Sequence, residues 1–356
     1  MKGQRGRLLL GLLAAIVLLA LFFRGIDWAG LGSSLAGARW LPLAGLVGVT
    51  VVLYGIRAWR WGGLLGPLGR VRYADLFSAT MVGFASGLLI PRAGELLRPW
   101  LVSRRYPIPT SAGVATIILE RIADTITVLL LFAVYLFVLP PPAAQGEGRV
   151  LFDLWGARLT AMGFIKAAGA LALAVVAAVL VFLAALHADP GRVVGWVEAR
   201  LAGAPRWLGG PLGRILRSFS DGLAALRAPL PQLAVIGLQS LAIWLLIGLG
   251  FHLNHLAFGI DLPYRATFLL IAFLVVGVAI PTPGMVGGFH AFYLLALAEV
   301  FGIAREKAVA AGLAAHALTN LPILVFGLAL LGREGLSLGR VAAVTRGEEA
   351  QQEVSP

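Results

Sequence analysis

Apolar runs near the length needed to cross a bilayer recur along this chain, at about 8–23, 41–57, 73–90, 109–139, 161–187, 231–253, 266–300 and 308–332. In lipid, a backbone must satisfy its own N–H and C=O groups, which restricts runs of about 20 residues to helices. Hydrophobic residues make up 59% of the 356 and charged residues 13%, too little polar surface to clothe a soluble fold of this size. The chain therefore reads as an all-α polytopic membrane protein of eight hydrophobic segments. The first run follows Lys2, Arg5 and Arg7 and precedes Arg24, Asp27 and Trp28 rather than a cleavage site, so it reads as a retained helix. The absence of cysteine excludes disulfides and thiolate metal sites.

A net charge of +12 would suggest nucleic acid as a partner for a soluble protein. Here the basic residues fall in short loops between apolar runs, where they orient the chain and attract anionic lipid headgroups. Lys2, Arg5 and Arg7 mark the N-terminus; Arg57, Arg60, Arg70 and Arg72 mark one loop, and Arg92, Arg98, Arg104 and Arg105 another. Six arginines lie within 188–230, and Arg333, Arg340 and Arg346 lie in the tail. All five stretches share the cytoplasmic side only if 73–90 enters and leaves on one face, and the same counting turns 266–300 into a hairpin inserted from the other. Six spanning helices and two inverted re-entrant hairpins result. Eight plain crossings, with 92–105 outside, are the alternative.

Local sequence supports paired breaks. Ile90-Pro91-Arg92-Ala93-Gly94-Glu95 and Ile280-Pro281-Thr282-Pro283-Gly284-Met285 each end an apolar run, and the runs open on matching aromatic pairs, Tyr73 with Phe77 and Tyr264 with Phe268. Proline removes a backbone donor and glycine frees the backbone. Interrupted segments in corresponding halves point to a transporter's binding site. Residues 1–332 read as one transmembrane unit containing a cytoplasmic or interfacial amphipathic segment at 190–228, and 333–356 as a polar, disordered cytoplasmic tail. The amphipathic stripe is Leu212, Ile215, Leu216, Phe219, Leu223 and Leu226. Residues 140–158 read as an external linker.

Glu120, Arg121 and Asp124 lie within the fourth run. Three charges at mid-bilayer cost on the order of 8–10 kcal/mol, against about 3–7 kcal/mol returned by the apolar residues of 125–139. The trio must face the bundle interior or a wet cavity, either as a structural ion pair or as part of a polar path. Glu120 and Asp124 share a helix face, and Arg121 can pair with Asp124. The helix opening at Pro91 offers Arg92, Gly94, Glu95 and Arg98 to a phosphate or carboxylate, unless Glu95 merely pairs with Arg98. In the second half, Pro281, Pro283, Gly284, Gly287 and Gly288 form a break that lets backbone approach a ligand or helix. His316 and Asn320, four apart, either line the same cavity or bond between helices. His252, Asn254 and His255 are expected to meet water at a helix end. No nucleophile–base pair, phosphate loop or zinc spacing is present.

At these residues the chain resembles the lysylphosphatidylglycerol synthase transmembrane (flippase-like) domain family. The likeness runs through Pro91-Arg92-Ala93-Gly94-Glu95-Leu96-Leu97-Arg98, then Glu120-Arg121 with Asp124, then Pro281-Thr282-Pro283-Gly284 with Gly287-Gly288, and covers about residues 8–332. It implies a membrane domain with re-entrant segments that, in bifunctional bacterial members, moves aminoacylated phosphatidylglycerol to the outer leaflet. The cytosolic synthase domain of those members is expected to be absent here. Stand-alone relatives are tied to polyprenyl-phosphate sugar pathways. The expected function is thus a lipid flippase, without metal or organic cofactor, in a bacterial-type cytoplasmic membrane with both termini inside. Its substrate would be an anionic or aminoacylated phospholipid or a polyprenyl-phosphate lipid, and homo-oligomers remain open. The alternatives are a membrane-embedded enzyme or accessory subunit for lipid-linked sugar or headgroup transfer, and a membrane scaffold.

Overall fold

The computed structural model describes residues 2–90, 93–139, 150–154, 157–189, 192, 199, 229–280 and 282–345. The apolar runs become helices: α1 Lys2–Phe23, α2 Trp28–Ala36, α3 Trp40–Leu65, α4 Tyr73–Leu89, α5 Ala93–Ser103, α6 Thr110–Ala133 and α7 Ala161–Ala188. They continue with α8 Leu230–Ala257, α9 Ala266–Ala279, α10 Gly288–Leu294, α11 Arg305–Arg333 and α12 Leu338–Thr345. One small antiparallel ribbon, β1 Val150–Leu154 with β2 Ala157–Thr160, begins in the expected linker and runs two residues past it. The amphipathic stripe lies outside the described residues. Among the described residues, five segments are long and apolar enough to cross a membrane, or six if the 89° bend between α1 and α2 belongs to one span. That bend follows from Gly25 at φ 69° and from Asp27, whose carboxylate accepts from the Ala29 and Gly30 amides at 3.0 Å. One of the five is 283–300, the stretch that contains α10, and shorter apolar helices such as α4 and α9 accompany them.

The scaffold is the antiparallel pair α3 and α8. The Arg39 amide donates to the Ala257 carbonyl (2.9 Å) at one end, and Gln232 Nε2 donates to the Gly63 carbonyl (2.9 Å) at the other. Helix α11 runs beside them, with Lys307 at the Ala257 end and Glu334, just past its C-terminus, near the base of α4.

Two hairpins enter this frame from opposite ends. Helix α4 starts near Glu334, where Ser78 donates to that carboxylate (2.9 Å), and α5 returns to the same place, where Arg105 bonds both Asp75 (2.8 Å) and Glu334 (2.9 Å). The arms cross at glycines: a Cβ on Gly94 would strike the Gly83 carbonyl. Helix α9 starts at the other end, where Tyr264 bonds the Leu245 carbonyl (2.7 Å), and α10 returns there, with Tyr293 held by Asn254 (3.0 Å). Its arms also cross at glycines, Gly277 against Gly288, eleven residues apart as in the first hairpin. At 17 and 14 residues, α4 and α9 are about 25 and 21 Å long, short of a ~30 Å hydrocarbon core. The end of α4 meets the second hairpin's turn. Gly284 lies beside the Leu88 carbonyl, and its own carbonyl contacts His316 Nε2 on α11 (2.9 Å).

Four expectations need correction. Helix α3 does not end at Arg57, so Arg57 and Arg60 are buried helix residues rather than loop charges. The returning arm of the first hairpin carries Arg98 to depth rather than leaving it among the loop arginines. Asn254 and His255 are fully buried, because Tyr293 and the Ala311 carbonyl give Asn254 partners inside the bundle. The start of the tail folds as α12, which buries Val341 and Val344 in the cluster that holds Leu97 and Leu101 of α5.

Candidate functional site

The site grows from α6, which delivers Glu120 and Asp124 to the bundle interior one turn apart, at 0% and 4% exposure. Buried carboxylates demand counter-charge and hydrogen bonds. Arg98 supplies both to Glu120, with Nη1 and Nη2 each donating at 3.1 Å. Gly83 makes this possible, since a Cβ there would collide with the Arg98 side-chain stem. The guanidinium also lies over the Trp61 ring at 4.4 Å, and Trp61 Nε1 donates to Thr116 of α6 (3.0 Å).

Arg60, fully buried, reaches Asp124 Oδ1 at 2.6 Å and the Ser240 hydroxyl at 2.8 Å, and lies 3.6 Å from Glu120. Trp244 Nε1 donates to the same Asp124 oxygen at 3.1 Å. Arg121, half-exposed, bridges Glu120 (2.5 Å) and Asp124 (3.3 Å). Arg57 approaches Asp124 only to 3.7 Å, and its Nε and Nη1 have no hydrogen-bond partner among the described residues. Four guanidiniums therefore meet two carboxylates.

Arg57 also borders a half-open cavity of about 190 Å³ lined by residues of α3, α8, α9, α10 and α11. Leu53, Leu274 and Val278 contribute its apolar walls. His316, Thr319 and Asn320 line it from α11, and Met285 from the turn of the second hairpin.

The sequence candidates separate on this map. Glu120, Arg121, Asp124 and Arg98 join in one cluster, and Arg121 pairs with Asp124. Arg98 takes Glu120 rather than Glu95, which is exposed. Gly94 and Gly288 are the hairpin crossings, and Gly287, at φ 90°, rests on Ala15 and Leu18 of α1. Pro283 and Gly284 build the second turn, with Gly284 at φ 62°. His316 and Asn320 line the cavity, with Asn320 donating back to the His316 carbonyl (2.8 Å). Pro91, Arg92 and Pro281 lie outside the described residues. Sequence reasoning missed Arg57, Arg60, Ser240 and Trp244. The available signal was Arg57-Ala58-Trp59-Arg60-Trp61, whose arginines are three apart and are followed by apolar residues that continue a helix.

The Lysylphosphatidylglycerol synthase TM region family matches residues 8–327, from the first helix almost to the end of α11. The chain belongs to this family. Its two hairpins and the cluster between them thus lie inside the matched lysylphosphatidylglycerol synthase TM region. The chain is also similar to a protein of Haloferax volcanii named Glycosyltransferase AglD, at 26% identity over 342 residues. That match covers 91% of this chain and 54% of the relative, so the chain spans about half the length of the curated relative it matches.

Proposed function

We propose that this protein moves a lipid between membrane leaflets. The observation that supports this best is the position of the ionic cluster and its cavity, at mid-bundle where hairpins from opposite ends meet. Intramembrane charge of this kind marks a substrate path more often than a lipid-facing surface. A headgroup would pass beside Arg57 and the hairpin turns while its acyl chains remained in lipid. Glu120 and Asp124 hold the arginines at the path, and the turn through Pro283 and Gly284 serves as the gate. Arg70, Arg72, Arg104, Arg105, Arg333 and Arg340 gather toward the base of the first hairpin. We assign that end to the cytoplasm on the excess of positive charge. An impermeant thiol reagent should not reach a cysteine at position 104 in intact cells.

The test is a leaflet-resolved assay in proteoliposomes carrying labelled lipid, with Asp124→Asn and Arg92→Ala. The expected result is wild-type translocation and its loss in both variants; unchanged movement removes those residues from the mechanism. A second reading, an enzyme or accessory subunit for lipid-linked sugar transfer, draws on the name of the haloarchaeal relative. Product formation by purified protein without lipid movement would favour it.

A further inference from the structure

Arg57 is 7% exposed, and its Nε and Nη1 lack hydrogen-bond partners among the described residues. A buried guanidinium left this way forfeits hydrogen bonds that water would otherwise supply. Its nearest carboxylate cannot fully serve it. Asp124 Oδ1 is already held by Arg60 and Trp244, and Oδ2, which has no hydrogen-bond partner among the described residues, stands 3.7 Å from Arg57 Nη1, beyond hydrogen-bonding reach. Among the described residues, no carboxylate lines the adjoining cavity.

We propose that this cavity seats a phosphate group carried on an apolar chain, bound by Arg57, and that it rejects cationic aminoacyl headgroups. An arriving phosphate would give Arg57, where it borders the cavity, a charged acceptor that no described carboxylate in the cavity wall provides. An ammonium would enter a site already carrying two more guanidiniums than carboxylates, and no carboxylate among the described residues lines the cavity to receive it. The apolar walls at Leu53, Leu274 and Val278 suit the first methylenes of a chain. At about 190 Å³ the cavity is smaller than the ~300–1,000 Å³ that encloses a whole drug-sized ligand. It therefore holds a headgroup and not an entire lipid. This inference rests on the lipid-translocation reading for its purpose but is tested by binding alone.

The experiment titrates purified full-length protein, in an uncharged maltoside detergent, with dodecyl phosphate, inorganic phosphate and dodecylammonium, and follows the thermal unfolding midpoint. Dodecyl phosphate should stabilise the protein saturably. Arg57→Gln should weaken its apparent affinity about tenfold or more, and Arg57→Lys by only about threefold. If Arg57→Gln does not fold, Val278→Trp, which fills the apolar wall, should abolish stabilisation by dodecyl phosphate while leaving the ions untouched. Inorganic phosphate binding as tightly as dodecyl phosphate would make this a free-phosphate site and overturn the lipid assignment. Equal stabilisation by dodecylammonium, or undiminished dodecyl phosphate binding by Arg57→Gln and Val278→Trp, would overturn the proposal. Intact phosphate binding without translocation in proteoliposomes would contradict the transport reading and leave the binding site standing.

Discussion

Arg98 and Glu120, twenty-two residues apart, close a two-pronged ion pair in which each guanidinium nitrogen meets its own carboxylate oxygen at 3.1 Å. The pair joins the returning arm of one hairpin to the helix that carries Asp124, so the first hairpin and the ionic cluster are one mechanical unit. Removing one member of a buried pair leaves the other charge uncompensated.

Glu120→Gln would leave Arg98, Arg60 and Arg121 with Asp124 as their one remaining acid in the cluster. The expected destabilisation is about 3–5 kcal/mol, the range seen when a buried pair loses one partner. Unfolding of the detergent-solubilised protein, followed by tryptophan fluorescence, should show a lower midpoint. An unchanged midpoint would mean that the cluster is hydrated well enough to tolerate the loss.

The glycine crossings should be unequal to glycines elsewhere in the bundle. At Gly94 an added methyl meets the Gly83 carbonyl, and at Gly277 it meets the Gly288 carbonyl at 2.6 Å. Gly94→Ala and Gly277→Ala should each cost about 1–3 kcal/mol, the usual penalty for overpacking. In α3, a Cβ on Gly48 meets nothing within 4 Å, so Gly48→Ala should instead stabilise by up to about 1 kcal/mol. Thermal midpoints of the three variants measured together check the ordering.

The base of the first hairpin supplies a pH-dependent test. Burial pushes the Asp75 carboxyl up, but the Tyr106 hydroxyl and the Arg72 and Arg105 guanidiniums outweigh it and hold the group below its ordinary 3.8. A depressed acid stabilises the fold above its unfolded value and loses that contribution as pH falls through the folded one. The unfolding midpoint should therefore decline as pH drops below about 4, and the decline should be shallower in Asp75→Asn. Identical slopes for the two proteins would show that this clasp does not hold the hairpin base.

Much of this architecture was readable from sequence because its causes are local. Proline and glycine interrupt the runs at Ile90 and Ile280, and the arginine-rich loops permit few topologies, so paired hairpins follow without tertiary information. Glu120 and Asp124 were legible because their cost in lipid is high wherever their partners lie. Those partners were not: Arg60 is 64 positions from Asp124, and Ser240 is 180 from Arg60. Hydropathy also ended the second run at Arg57, since an arginine next to an apolar run looks the same in a loop as inside a helix. Asn254 and His255 were misplaced for a related reason, because the polar partners of Asn254 arrive from α10 and α11. Val341 and Val344 form too short a pattern to separate a docked turn from a tail.

The most direct measurement ties the two hairpin turns together. The chain has no native cysteine, so Leu88→Cys with Gly284→Cys places a lone thiol pair where the turns meet. After linking with a short reducible bis-thiosulfonate, leaflet-resolved lipid movement in proteoliposomes should stop, and reduction should restore it. Lipid crossing at the full rate with the turns linked would contradict passage between the hairpins.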